Sequence, residues 1–350
     1  MKAIIRSISA LAMLAFSAPA MAGGVNVYDD GDSKLKLGGK VFSDITSFKQ
    51  TNSTGATTKE TLGARVERAY LTAKYSFNSD WMMRITTDVN LDPNLKKKNN
   101  NIFLKYAYLE GKLYGDAAVL RIGQSHTPWI DYEQGLWKHR YFSKVMIDTN
   151  GYDASSDLGI GLKGKLFDGM AKYFVTYTNG AGYSHPAVTG KTMDIDSRFS
   201  LYPVKGMTVD FQYRDGYKGT KRVPTNLAEK KSTLYQIMTT YGSGSDYRVG
   251  ANYTNNRVKT TATATSVKEK AYAIWGWSKI SNGFGVFGRY ELTKDNAASV
   301  TKTNRFAGGV EYSPVKHVTL ALGIDKATTK LAGVTSKKTT RFGLWTQTKF

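Results

Sequence analysis

The sequence predicts an all-β fold: a transmembrane antiparallel β-barrel of sixteen strands, with short periplasmic turns and long extracellular loops. Three observations predict it. A secretory leader opens the chain. About sixteen stretches follow in which apolar and polar residues alternate with period two, the signature of strands with two unlike faces. The gaps between those stretches run short, then long.

The leader is residues 1–22. Lys2 and Arg6 precede a short apolar run over 8–16, and Ala20-Met21-Ala22 offers a small-x-small cleavage site. This is the three-part pattern of a signal peptide, with cleavage expected after Ala22. No later segment approaches 18 consecutive apolar residues, so a spanning helix is not expected. The chain has no cysteine, so no disulfide framework holds it. A closed ladder of backbone hydrogen bonds is the alternative. No Pro-rich or Ser-rich linker divides residues 23–350, which read as a single β-barrel pore domain.

The expected strands are 33–46, 62–76, 81–89, 101–109, 117–124, 157–166, 170–178, 192–202, 207–214, 232–241, 247–255, 269–278, 284–292, 304–312, 317–325 and 340–350. Over 192–202, Met193, Ile195, Phe199 and Leu201 share one face, and Asp194, Asp196, Arg198 and Ser200 the other. In 62–76 the apolar parity changes near Glu67-Arg68, which predicts a bulge or a misplaced boundary. In 269–278 both parities are apolar, through Tyr272 and Ile274 against Trp275 and Trp277, which suggests a face toward a subunit partner. Tight turns fall at 78–80, 167–169, 203–206, 242–246, 281–283 and 314–316. Long gaps fall at 47–61, 90–100, 125–156, 179–191, 215–231, 256–268, 293–303 and 326–339. Sixteen strands leave a water-filled lumen rather than a packed core. Tyrosines near strand ends, including Tyr106, Tyr108, Tyr177, Tyr213, Tyr241 and Tyr290, suit interfacial girdles.

Charge adds a second argument. The 49 lysines and arginines exceed the 28 acids by 21, and the leader holds two of the basic side chains. The basic residues form no helix or stripe between aromatic platforms, which speaks against nucleic acid. They fall singly within the alternating segments, as lumen-facing groups do. The predicted pore-lining cations are Lys40, Arg84, Lys105, Arg121, Lys163, Lys165, Arg198, Arg214, Arg248, Arg289 and Arg305. Turned toward lipid at the midplane, each would cost roughly 2–4 kcal/mol. Turned toward water they set ion preference, here for anions.

The gap 125–156 is the candidate constriction loop. Trp129, Tyr132, Leu136 and Trp137 make it too apolar for a free solvated loop, and a short helix is expected through 129–139. Folded inward against one wall, it would present Asp131, Glu133, Lys138, Arg140 and Lys144 at the narrowest point. An outward lid or trimer latch is the alternative.

These residues carry a resemblance. Leu120-Arg121-Ile122-Gly123-Gln124 followed by Thr127-Pro128-Trp129 resembles the strand-into-third-loop passage of the phosphate-selective group of Gram-negative porins. The segment 33–41 resembles the first strand of general trimeric porins. The last strand, ending on Phe350, resembles the signal read by outer-membrane assembly machinery, although Thr348 stands where an aromatic is common. The resemblance implies a sixteen-stranded homotrimer in the outer membrane of a Gram-negative bacterium, with the third loop folded into each pore. It implies outer-membrane lipid and lipopolysaccharide as surroundings and small hydrophilic or anionic solutes as cargo. The expected function is passive diffusion of such solutes with a mild anion preference. A phosphate- or other anion-specific channel is the first alternative, and a structural or partner-filled barrel the second.

Nothing points to catalysis. His126, His139, His185 and His317 sit at no metal-ligand spacing, and the chain has neither a nucleophile elbow nor a Gly-rich phosphate loop. No cofactor or metal is expected.

Overall fold

The computed structural model describes residues 24–90, 101–183, 193–219, 231–259 and 265–350. The leader 1–22 and its cleavage site lie outside the described residues, as do His185 and much of several long connections.

A short strand β1 (Val25–Asp29) precedes sixteen longer ones. These are β2 (Lys34–Thr51), β3 (Thr57–Ser76), β4 (Trp81–Asn90), β5 (Asn101–Tyr114), β6 (Ala118–His126), β7 (Ser156–Leu166), β8 (Ala171–Thr178) and β9 (Asp194–Leu201). The second half contains β10 (Met207–Gly216), β11 (Lys231–Gly242), β12 (Tyr247–Lys259), β13 (Val267–Lys279), β14 (Phe284–Asp295), β15 (Thr301–Val315), β16 (Val318–Leu331) and β17 (Val334–Lys349). Each pairs antiparallel with the next. β17 returns to pair with β2, from Lys338 opposite Thr51 to Lys349 opposite Lys40. The result is a closed sixteen-stranded barrel with no free edge.

β1 pairs with β2 over residues 34–37, just beyond the point where β17 stops. The two ends of the chain therefore share one edge of β2. Phe350 exchanges backbone hydrogen bonds with Gly39 at 3.0 and 3.1 Å, and its ring lies over the bare Cα of Gly39.

The alternation sorts side chains as expected. Ile45, Leu71, Ile85, Ile122, Ile160, Val249, Val310 and Phe342 point outward and are exposed. Tyr213 faces Tyr235, and Tyr253 faces Tyr272, each at 5.2 Å between ring centroids on the outer surface. Two tyrosines depart from the girdle expectation: Tyr106 and Tyr108 are buried inside the barrel, 5% and 4% exposed.

Two bulges account for irregular parity. Phe42 lies opposite Arg68 and Ser43 opposite Val66, so Glu67 is the extra residue, at the place where the sequence changes phase. Thr86 lies opposite Tyr106 and Thr87 opposite Leu104, which makes Lys105 a second extra residue. Its neighbour Tyr106 turns inward with it, which is why that ring left the outer surface.

One rim holds short turns, at 77–80, 115–117, 167–170, 202–206, 243–246, 280–283 and 316–317. The other rim differs from expectation. Several of its gaps are strand rather than loop: β2 and β3 leave only 52–56 between them, and β16 and β17 leave only Ala332-Gly333. That two-residue turn has φ +47° and +85°, the left-handed pair a tight hairpin needs, and Gly333 takes its second position without a Cβ penalty. The residues involved, such as Thr57, Thr58, Thr61, Thr328 and Thr329, are β-formers. They carry no continuous apolar face, so period-two alternation does not mark them.

Candidate functional site

Thr127 and Ala154 pinch the neck of the connection between β6 and β7, with the Thr127 hydroxyl donating to the Ala154 carbonyl at 2.5 Å. The chain between them enters the barrel as helix α1 (Ile130–Trp137), a turn, and helix α2 (Met146–Thr149). Lys138 ends α1 in a left-handed conformation, its backbone N–H donating to the Gln134 carbonyl. The inward position expected for 125–156 is the one observed.

Apolar packing sets which wall it lies on. Trp129, Ile130, Trp137, Val145, Met146 and Ile147 are fully buried. Trp137 meets Trp275 and Phe287 edge-on at 5.9 and 6.0 Å. Trp277 donates its indole N–H to the Leu136 carbonyl at 2.9 Å. Phe142 packs on Trp345 at 4.3 Å, in a space that a Cβ on Gly323 would fill. The second apolar parity of 269–278 therefore serves the loop: Trp275 and Trp277 face inward against it, and the partner-facing expectation for that face is corrected. On this side the lumen is a packed core and not water.

Polar anchors fix the loop further. Arg289 donates to the Ser143 hydroxyl at 2.7 Å and to the Lys144 carbonyl. Glu311 takes the Tyr141 hydroxyl at 2.9 Å and lies 3.0 Å from His139 Nε2. Arg198 donates to the Pro128 carbonyl at 2.8 Å, its guanidinium 3.7 Å from the centre of the Tyr132 ring. Across the opening, Tyr106 donates to Asp131 at 2.5 Å, and Arg140 reaches bulged Glu67 at 3.3 Å.

Between the loop and the wall of β2 to β6 remains a cavity of about 520 Å³. Lys40, Arg68, Arg84, Lys105, Lys138, Arg140, Lys279 and Lys349 line it, against the carboxylates Asp131, Asp148 and Glu311. Eight cations therefore meet three anions at its surface, while behind the lining Arg68 pairs with Asp88 at 2.8 Å and Arg140 with Glu67, which leaves a surplus of three. Tyrosine rings hold some cations in place: Arg84 lies 4.8 Å from the Tyr106 ring centre and Lys105 3.5 Å from that of Tyr183. His126 stacks on Tyr106 at 4.0 Å, with Arg84 and Arg121 at its two ring nitrogens.

Of the cations singled out from sequence, Lys40, Arg84, Lys105, Lys138 and Arg140 come together here, with Asp131 opposite. The others are engaged elsewhere on the inner wall. Arg121 and Lys163 share Glu110 at 2.6 and 2.8 Å, and Arg214 pairs with Asp194 at 2.6 Å. Arg289 pairs with Glu291 at 2.6 Å and Arg305 with Asp325 at 2.5 Å, while Arg248 donates to Thr240 at 2.8 Å. Arg198, as above, braces the loop. Lys165 pairs with Asp116 at 2.7 Å at the short-turn rim. Lys144 pairs with Asp148 at 3.3 Å, and only the acid lines the cavity.

Glu133 is a correction. It does not face the opening but sits behind α1, 1% exposed, accepting from the Trp129 indole at 2.7 Å and the Asn252 amide at 2.9 Å. Burial pushes its carboxyl up to about 7. Arg68, Lys279 and Lys349 were not singled out. For Arg68 the signal was present in the phase change beside it. Lys279 and Lys349 sit at strand ends, where alternation gives little direction.

No family model matches the sequence, and no curated protein matches it. Solved structures do. An anion-selective porin from Comamonas acidovorans superposes with a TM-score of 0.66 at 12% identity, covering 91% of this chain and all of that one. The outer-membrane channel DcaP of Acinetobacter baumannii gives 0.67 at 14%, covering 93% and 100%. Salmonella typhi OmpF, solved with daunomycin, gives 0.60 at 12%, again covering 93% and 100%. The likeness is one of fold. It runs the length of each barrel, and the fold is that of Gram-negative outer-membrane porins.

Proposed function

We propose that this protein is an outer-membrane porin through which small hydrophilic solutes diffuse passively, with a preference for anions. The observation that carries the reading is the cavity beside the inward loop, where cations still exceed carboxylates by three after Arg68 is paired with Asp88 and Arg140 with Glu67. A low-dielectric wall with one excess sign raises the local concentration of counter-ions. The loop 125–156 is read as the constriction, and the remaining inward cations as pore lining that also holds it. The homotrimer and delivery by assembly machinery through the outward ring of Phe350 belong to the same reading. The fold supports it, as do the leader and the outward apolar surface.

The test is single-channel recording of the refolded protein in a planar bilayer, with a reversal potential across a potassium chloride gradient. Conductance in steps of three with a potential favouring chloride is expected. The double variant Arg84→Glu/Lys105→Glu should retain conductance and lose the anion preference, reversing it several-fold. A folded barrel with no conductance would favour the structural or partner-filled barrel. Saturation by low phosphate concentrations would favour the anion-specific channel.

A further inference from the structure

The turn between α1 and α2 is tied to the barrel wall through one ring. His139 is buried and stacks on Phe287 of β14 at 4.2 Å between ring centroids. Its Nδ1 lies 2.7 Å from the Trp137 carbonyl, and its Nε2 lies 3.0 Å from Glu311 Oε2 on β15. Its own carbonyl accepts from the backbone N–H groups of Phe142 and Ser143, both at 3.0 Å. Ring and backbone of His139 therefore hold the turn 138–143 together.

Both atoms that the ring nitrogens meet are acceptors. A neutral imidazole carries only one N–H, so one of the two contacts would set lone pair against lone pair. Moving the proton to the other nitrogen only moves the clash. Nε2 is buried, and among the described residues no other group satisfies it in place of the carboxylate. Tyr141 brings no relief, because its hydroxyl donates to the same Oε2 at 2.9 Å. The arrangement is complete only with a second ring proton, on Nε2, since Oε2 already serves Tyr141 as an acceptor.

The other groups around the ring supply no substitute. Lys138 and Arg140 flank it in the chain, Lys279 ends β13, and Lys349 ends β17 opposite Lys40 of β2. None of these five forms an ion pair with Glu311 among the described residues. From β14, Arg289 is turned to Glu291 and Ser143. From β13, Trp277 presents an indole whose N–H belongs to Leu136. The same turn contains Lys138 at φ +64°, a conformation that a side chain disfavours, so its backbone is poised to relax once the ring is let go.

We propose that the proton on His139 Nε2, held against Glu311, latches the inward loop to β15, and that the turn loosens when an alkaline medium removes that proton. The latch rests on the loop's position and does not depend on the pore reading.

The test uses the refolded protein in detergent between about pH 6 and pH 9, a window that spans free imidazole and stops below lysine and tyrosine. Nitrogen-15 shifts of the His139 ring, identified by their loss in His139→Gln, should show both nitrogens protonated at the lower pH and Nδ1 alone at the upper. Acrylamide quenching reads the turn through the buried indoles of Trp137, Trp277 and Trp345 and should rise at least twofold over the same window. Glu311→Gln supplies a latch that needs no second ring proton, because its amide donates to the bare Nε2. Its quenching should stay low at both ends of the window. Heat-modifiable migration establishes that each variant is folded. A rise in quenching that persists in Glu311→Gln would overturn the proposal. So would an Nε2 without its proton at the lower pH, a ring that keeps both protons at the upper, or quenching that does not follow the proton. A barrel that shows the proton and quenching changes but carries no current would lose the pore reading and keep the latch.

Discussion

At the scale of single residues, the inner wall holds cations that line the cavity and cations that are spent on structure. Arg289 and Arg305 look like pore residues by parity, yet each is committed to an acid and to the loop backbone or side chains. Glu133 shows the converse. Its folded carboxyl titrates at about 7 against 4.5 for the free group, because burial disfavours the charged form. The folded state therefore binds more protons than the unfolded one between those values, and stability falls as pH rises through that window. The full effect is roughly 3 kcal/mol. Glu133→Gln should leave the thermal midpoint at pH 4.5 nearly unchanged and raise it at pH 8. A midpoint difference that is the same at both pH values would contradict this, and heat-modifiable migration measures it.

At the scale of elements, the loop is held chiefly by Trp137 and its ring of neighbours. Trp137→Ala leaves a cavity against Trp275 and Phe287 and should destabilise the docked loop by about 3–5 kcal/mol. The barrel ladder does not depend on that contact. Single-channel recordings of the variant should show larger mean steps and frequent flicker, with heat-modifiable folding retained; steady steps of the original size would show that the loop is held some other way. The same element shows what a sequence discloses. The loop's inward fold was legible because Trp129, Leu136 and Trp137 had to be covered. The Glu67 bulge was legible because both strand halves keep their apolar sets outward, Leu62 and Val66 before it and Leu71 after it. The Lys105 bulge was not, because Tyr106 fits either face. Trp275 and Trp277 misled for a related reason: apolar residues on the wet parity signal a cover but do not say which segment supplies it.

At the scale of the whole molecule, the field in the pore is a sum over many groups, most of them partly compensated. Its reach depends on salt, since the Debye length falls from about 10 Å at 0.1 M to about 3 Å at 1 M. On the proposed reading, chloride preference should therefore weaken several-fold between those concentrations, a change read directly from reversal potentials. A preference that does not move would mean that solutes touch the cations and are selected by contact.

The closure of the barrel has a consequence for how such a chain is made. Ser43 and Thr346 hydrogen-bond at 2.6 Å although 303 residues separate them. Every other strand of the barrel finds its partner within a hairpin or one loop, but the seam joins β2 to β17. A chain cut short before β17 is thus not a slightly smaller pore. It is an open sheet with two bare edges, β2 and β16, and in hydrocarbon each bare amide is costly. β3 to β15 are paired on both sides without β17, but the two edges are satisfied together only when it is in place, so one strand decides whether the sheet can close.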